Sequence, residues 1–404
     1  MTPSYSNGGH ETARRRPASR GSVILLVLMT LLLTAFALTK YLEKTTIDLL
    51  ADARAARADR LRSEAYSALE TVIGVLNEFR TVDSALRSPT EGWGAPLEFA
   101  GYTPPSGLEV EVTLDDESGK ISLPHVDYTI LRDLFIHFGE KQTDAEMYAD
   151  ALLVWMEKEY EPTNSFSARA ADYEREQIIH DPPVRSLHSF AELASIKLIR
   201  EKFFDEEGHP NDLWRKFVDA VSLYDFGAPN INAARESTLA AFGGYDDTSI
   251  KMLSDYILGQ GSYIRQGPSY FRSTKEVAGI VGQQVVSAKL GTAVSCLRIT
   301  VTVKEGQASF RVSAVVAPPG GAGAPPATPS TASSSSESSA AGVDSTSTNT
   351  NSSTTTSTTT TSSTTTSSSS SSTQTSLNYP FTLLEVEENG ATAQPAPAAQ
   401  PTSA

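Results

Sequence analysis

An uncharged run of 18 residues, Ser22 through Thr39, constrains this chain more than any other stretch. At the α-helical rise it spans about 27 Å, close to the roughly 30 Å hydrocarbon core of a bilayer. Arg14, Arg15, Arg16 and Arg20 stand ahead of it, with Glu11 alone of opposite sign, and Lys40 follows it. Arginines beside a short segment stay on the cytoplasmic side. The N-terminus is therefore expected inside and everything after Lys40 outside. No Gly or Pro occurs between Ser22 and Ile73, so nothing there stops a helix. Past the apolar run Leu61, Ala65, Leu69, Val72, Leu76 and Phe79 recur at spacings of three and four. One helix from residue 22 to about 86, half embedded and half in water, fits both halves of the pattern.

Three readings of this segment stay open. It is a signal anchor; or a secretory signal peptide cut at the A-x-A site Ala35-Phe36-Ala37; or the start of a mature chain whose basic leader ends at Gly21 and is removed before the apolar run. The segment alone does not choose among them.

The 404 residues suggest about two to three domains. A net charge of −15 argues against nucleic acid as a partner. A single cysteine, Cys296, excludes an intrachain disulfide framework and a Cys-rich zinc site. It sits in an apolar run and reads as a small buried hydrophobe rather than a nucleophile.

After the helix, Pro89, Gly92, Gly94, Pro96, Pro104, Pro105 and Gly107 mark a loop. Residues 108–114 alternate apolar with acidic or hydroxyl side chains, as a half-buried strand does. Asp115 to Gly119 reads as a solvated turn, and Lys120 to Leu123 as the next short strand. From His125 the period becomes helical. Ile130, Leu131, Leu134, Phe135 and Phe138 fit a helix stopped at Gly139. Thr143 with Glu146 reads as a capping box opening another. Further helical patterns cover about 189–203, 211–223, 233–242, 247–258 and 273–282. Strands return at 296–303 and 308–316, with Glu305-Gly306 between them as in a hairpin. Residues 318–376 are low in complexity, almost unbroken Ser and Thr after a Pro-, Gly- and Ala-rich start. Nothing apolar there offsets the entropy of ordering a backbone, so a disordered linker is expected. Residues 379–386 read as a last strand that pairs back onto the sheet, followed by a frayed tail.

Several of these stretches, taken in order, resemble protein K of the type II secretion system, the large minor pseudopilin. Arg20-Gly21 before the apolar helix is the first. Asp116-Glu117-Ser118-Gly119-Lys120-Ile121-Ser122-Leu123 looks like the family's acidic-x-Gly-Lys-Ile-Asn-Leu entry. Ala151 through Glu159 looks like its Leu-x-Asp-Trp-x-Asp-x-Asp segment. Tyr173, Pro182-Pro183, Ser189-Phe190-Ala191-Glu192-Leu193, Asn230-Ile231-Asn232-Ala233-Ala234 and Phe271 through Val277 follow in the family's order. The match covers most of residues 18–317 plus 379–388.

The resemblance implies an α+β fold: a pilin-like long N-terminal helix packed on an antiparallel sheet, with a large inserted helical domain (SAM-like, or helix-hairpin-helix-like). The implied division is leader 1–21, transmembrane half of the helix 22–42, pilin-like helix and first strands 43–123, inserted helical domain 124–283, C-terminal strands 284–317, linker 318–376, and last strand with tail 377–404. It also implies cleavage between Gly21 and Ser22 by prepilin peptidase and N-methylation of Ser22. The mature chain would sit in the bacterial inner membrane with its body in the periplasm. Implied partners are the I and J minor pseudopilins and the inner-membrane secretion platform, and the implied role is to cap the tip of the periplasmic pseudopilus during export of folded proteins. Ordinary pilins carry Glu at the fifth mature position. Here that position is Leu26, which suits a subunit with nothing above it, because an unpartnered intramembrane carboxylate is costly. The family's acidic helical region can bind calcium, which wants six to eight oxygen ligands. The corresponding residues are Glu157 and Glu159, but Val154 replaces the first carboxylate. The Ser/Thr tract is not a family feature. A type IV pilus minor pilin, and a secreted or anchored binding protein with an ordinary signal peptide, are the alternatives.

No catalytic constellation is present. The six histidines are scattered, without HExxH, CxxC or a Gly-rich phosphate loop. His180-Asp181 and His125 through Asp127 are pairs that an acidic protein shows by chance. A structural role is expected, not an enzyme.

Overall fold

The computed structural model describes residues 20–164, 167, 182–282, 289–326 and 379–389. The expected leader, Tyr173, most of the Ser/Thr tract and the tail lie outside the described residues. Helix α1 is unbroken from Arg20 to Asp83. A short helix α2 (Pro96–Phe99) precedes strand β1 (Glu109–Asp116). Then come β2 (Ile121–Ser122), α3 (Tyr128–His137), α4 (Gln142–Met156), α5 (Lys197–Phe203), α6 (Asp212–Ala220), β3 (Val221–Ser222), α7 (Glu236–Ala241), α8 (Asp247–Leu258) and α9 (Thr274–Val281). Strands β4 (Leu297–Glu305), β5 (Ala308–Ala317) and β6 (Thr382–Glu388) complete the chain. The architecture is α+β.

Two compact units are present, residues 1–63 and 64–404. In the first, the apolar side chains of α1 from Val23 to Leu50 are exposed. In the second, the last part of α1 buries Ala65, Ala68, Leu69, Val72, Ile73, Val75 and Leu76. That stripe recurs at three and four residues, the spacing that puts side chains on one helical face.

The main sheet is antiparallel in the order β1-β4-β5-β6. On β4, Leu297, Ile299, Val301 and Val303 are buried, opposite Val316, Ala314, Val312 and Phe310 of β5. Alternation with Arg298, Thr300 and Thr302 follows from the two-residue repeat of a strand. Gly306 takes φ 60 in the β4–β5 turn, a left-handed conformation that glycine adopts without a Cβ clash. The last part of α1 meets this sheet at β6, where the Tyr66 hydroxyl donates to Glu388 Oε1 at 2.6 Å.

The α-helices from α3 to α9 share one core with the short strands. Phe135, Phe203 and Phe217 are fully buried at its centre, Phe135 stacked on Phe217 at 5.7 Å. This helical body is spliced between β1 and β4. Asp116, the last residue of β1, pairs with Leu297, the first of β4. Entry and exit are thus ladder neighbours, so the sheet tolerates a very long insertion.

Four local expectations are corrected. Ile121–Ser122 does not join the main sheet; it pairs in parallel with Val221–Ser222 inside the insert. The helix expected over 211–223 therefore ends at Ala220, because its last residues are drawn into that ladder. Thr143 does not cap α4; the cap lies two residues earlier, at Lys141, and no side chain closes it. Residues 318–326, expected as linker, are docked: Gly323 exchanges two backbone hydrogen bonds with Asp225, and Ala322 N donates to Ser295 O at 2.8 Å. The last strand does pair back onto β5, as expected.

Truncating Leu76, which is 0% exposed, deletes packing between α1 and the body. Leu76→Ala is expected to destabilise by about 3 kcal/mol, read as a lower denaturant midpoint. Leu33→Ala, in the exposed stretch, is expected to leave that midpoint unchanged.

Candidate functional site

The exposed apolar part of α1 is the first candidate. Twelve large apolar side chains from Val23 to Leu38 are between 48% and 73% exposed. Fully burying such a side chain yields roughly 1.5–3 kcal/mol, and because each is only part exposed the run gains on the order of 10–20 kcal/mol from an apolar environment. Its hydroxyls are already satisfied: Thr30, Thr34 and Thr39 each donate to a carbonyl three or four residues back at 2.9 Å. An α-helix pairs its own backbone, which is what a segment in hydrocarbon requires. Leu26 is 63% exposed on this stretch. Gly21 and Ser22 lie within α1, and their surroundings are outside the described residues.

The second candidate is the polar junction where the helical insert meets the sheet. Asp115-Asp116-Glu117 is not the solvated turn expected from its charge. Asp116 Oδ1 accepts from the Ser118 backbone N–H at 2.9 Å and from the Ser118 hydroxyl; Oδ2 accepts from Asn230 Nδ2 at 2.7 Å. Asn230 Nδ2 also donates to Arg87 O at 2.8 Å, and Asn230 N to Ser118 O at 2.7 Å. One asparagine thus joins the end of β1, the loop after α1 and the insert. Asn232, two residues on, donates to Phe271 O and Thr292 O, both at 3.0 Å, and accepts from Phe271 N at 2.7 Å. The backbone there is packed so closely that a Cβ on Gly119 would come within 2.2 Å of Ala233 O. The only side chain that fits is a hydrogen atom.

Glu117 is buried beside two cations, with Arg298 Nε at 2.8 Å and Lys120 Nζ at 3.0 Å. Burial works to raise its pKa, but Lys120 and Arg298 together hold the carboxyl below its ordinary range. Among the described residues no cation forms an ion pair with Asp116. Although the residue keeps some exposure, desolvation of the carboxyl dominates and its pKa rises to about 7, against the hydrogen bonds from Ser118 and Asn230 and with Asp115 adding to the rise. Cys296 is fully buried, and burial first, then Glu117 and Asp116, pushes its thiol well up. A protonated, enclosed thiol is not a nucleophile.

Among the described residues the two expected calcium residues, Glu157 and Glu159, have no third acidic ligand beside them. Glu157 is the C-cap of α4; desolvation, then Asp127, raises its pKa. Glu159 has a left-handed backbone (φ 61) and an 84% exposed side chain, 3.8 Å from Lys158. Among the described residues no group of three or more His, Cys, Asp or Glu side chains converges as a metal site. Asp172, Glu174, Glu176 and Asp181 lie outside the described residues. The nearby carboxylate that the sequence reading passed over is Asp150. It is wholly buried and accepts from Tyr160 Oη at 2.7 Å, Thr163 N at 3.0 Å, Asn164 N at 2.8 Å and Ser167 Oγ at 2.7 Å. Those bonds fold the loop after α4 back on the helix. His125 Nε2 lies 2.5 Å from Asp225 Oδ1 on the surface, and Asp127 caps α3 through Ile130 N at 2.8 Å. His180 and Asp181 lie outside the described residues.

No family model matches the chain, and no curated protein matches it. One solved chain that matches comes from the crystal structure of the GspK-GspI-GspJ complex of the enterotoxigenic Escherichia coli type 2 secretion system. It has a TM-score of 0.44 and 13% identity, and covers 65% of this chain and 93% of that one. Similarity of that degree carries no weight for fold or function, which rest on the elements above.

The Asp116 carboxyl sets a pH dependence. Its folded pKa, about 7, lies above the ordinary 3.8, so the folded state binds that proton more tightly. Its contribution is fully present below about pH 4 and is lost as pH rises through 7. Unfolding free energy measured from pH 4 to 8 is expected to decline more steeply in the parent chain than in Asp116→Asn, which has no proton to lose.

Proposed function

We propose that this chain is a minor pseudopilin of a type II secretion system. The observation that carries this is the single helix Arg20–Asp83, apolar and exposed at its start and built into the folded body at its end. A removable signal peptide has no reason to continue without a break into a core helix. An anchor needs no such continuity either, but a subunit that exchanges lipid for the helices of its neighbours does. The motif order from Arg20-Gly21 to Phe271–Val277 supports the same reading.

In this reading prepilin peptidase cuts between Gly21 and Ser22 on the inner face, and Ser22 is then N-methylated. The mature helix waits in the inner membrane with the body outside. On assembly it leaves the bilayer and packs against the helices of the I- and J-type subunits, so its apolar surface stays covered throughout. Leu26 removes the carboxylate that a buried fifth position would have to pair, which supports a place at the filament tip. The chemistry is mechanical, with no residue assigned to catalysis.

Mass spectrometry of the mature N-terminus tests this. A chain beginning at Ser22 and heavier by one methyl group is expected. A chain beginning at Leu38 overturns the reading in favour of a secreted protein.

A further inference from the structure

The segment Tyr379–Asn389 is held by the body through contacts spread along its length. Phe381 is 3% exposed, with the Arg80 guanidinium 5.7 Å from its ring centre. Glu385 accepts from the Tyr224 hydroxyl and lies 3.9 Å from Arg298. Glu388 accepts from Tyr66, and Asn389 exchanges hydrogen bonds with the Arg311 backbone: Asn389 N to Arg311 O at 2.8 Å, and Arg311 N to Asn389 Oδ1 at 3.0 Å. The receiving groups come from α1, the helical insert, β4 and β5. They form a groove along the outer edge of β5, with a register shift at Val315/Val316 that the incoming strand must match.

The covalent route to this groove is long. The body remains docked to Pro326, whose carbonyl lies 3.1 Å from His188 Nε2. The strand resumes at Tyr379, and residues 327–378 lie between. At no more than 3.3–3.6 Å per residue, that connection reaches up to roughly 170–190 Å. Such a length does not dictate which body receives the strand. Without the strand, the edge of β5 presents unpaired backbone groups, a template for strand addition.

We propose that Tyr379–Asn389 is an exchangeable strand, and that the groove also receives the same segment from a second copy of this chain. Every contact made within one chain is available between two, so exchange costs little in contact energy. The balance is then set by the local concentration of a second copy against that of the chain's own strand. The occupant is this segment and not any edge-seeking strand, because the anchors are particular. Phe381 fills the site under Arg80, and Glu385 answers Arg298 and Tyr224 two ladder positions before Glu387. The exchange links bodies and leaves the route of α1 untouched, so it does not depend on the secretion reading.

Cysteine pairs across the β5–β6 ladder test it in the full chain. Ser313 faces Glu387 in register, at the separation of directly opposed residues. Ser313→Cys and Glu387→Cys are placed on separate, differently tagged copies, co-expressed and oxidised in the membrane. Buried Cys296 stays in place. Glu109→Cys on the outer edge of β1, co-expressed with the Glu387→Cys copy, reports chance encounters. Carrying both Ser313→Cys and Glu387→Cys on one chain reports docking within a chain. The expected result is an internal crosslink in the doubly substituted chain, and a two-tag dimer at least fivefold above the Glu109→Cys level. An internal crosslink with no dimer above that level shows a strand committed to its own body and overturns the proposal. Failure of the internal crosslink overturns it too, since the groove would then not hold the strand in this register.

Discussion

One helix has to satisfy two environments, and the rest of the structure accommodates that. From Val23 to Leu50 its apolar side chains are exposed; from Ala65 to Leu76 they are buried. Neither requirement strains the backbone, since an α-helix closes its own hydrogen bonds in lipid and in a protein core alike. What changes along it is only which side chains are apolar, all round at first and then on one face. A helix of this kind keeps the same backbone hydrogen bonds in either environment.

The second constraint is the splice. The insert leaves the sheet at Asp116 and returns at Leu297, and those two residues pair. Ser118 N donates to Cys296 O across the same gap at 3.2 Å. Asn230 then ties the entry to the loop after α1 and to the insert's own turn. A carboxyl-amide pair suits this place because it is directional. An apolar pair would pack, but would not fix three backbone segments at once. Beside it, Glu117 balances two cations in a setting where removing one partner typically costs 3–5 kcal/mol.

Much of this was legible in the residues. The helix, the β4–β5 hairpin and the strand after the Ser/Thr tract follow from periodicity and turn chemistry, and the structure has each of them. The misses share a cause: local charge and pattern do not report tertiary partners. Asp115-Asp116-Glu117 reads as solvated because three acids in a row usually are; Asn230, Arg298 and Lys120, which make burial tolerable, lie far away in sequence or look like ordinary surface groups. Val221–Ser222 carries helical periodicity from α6, yet pairs with Ile121–Ser122 across a hundred residues. Asp150 was overlooked amid an apolar helix because its partners, Tyr160 to Ser167, sit in an irregular loop.

The account rests on where the first part of α1 resides. Its most direct measurement is the reactivity of single cysteines toward a membrane-impermeant maleimide, in the mature chain reconstituted into liposomes. Substitutions at Leu26, Leu33 and Phe36 are predicted to be protected until detergent is added, while one at Asp52 reacts at once. Equal reactivity at all four positions, or a mature chain that lacks the first three, would contradict it.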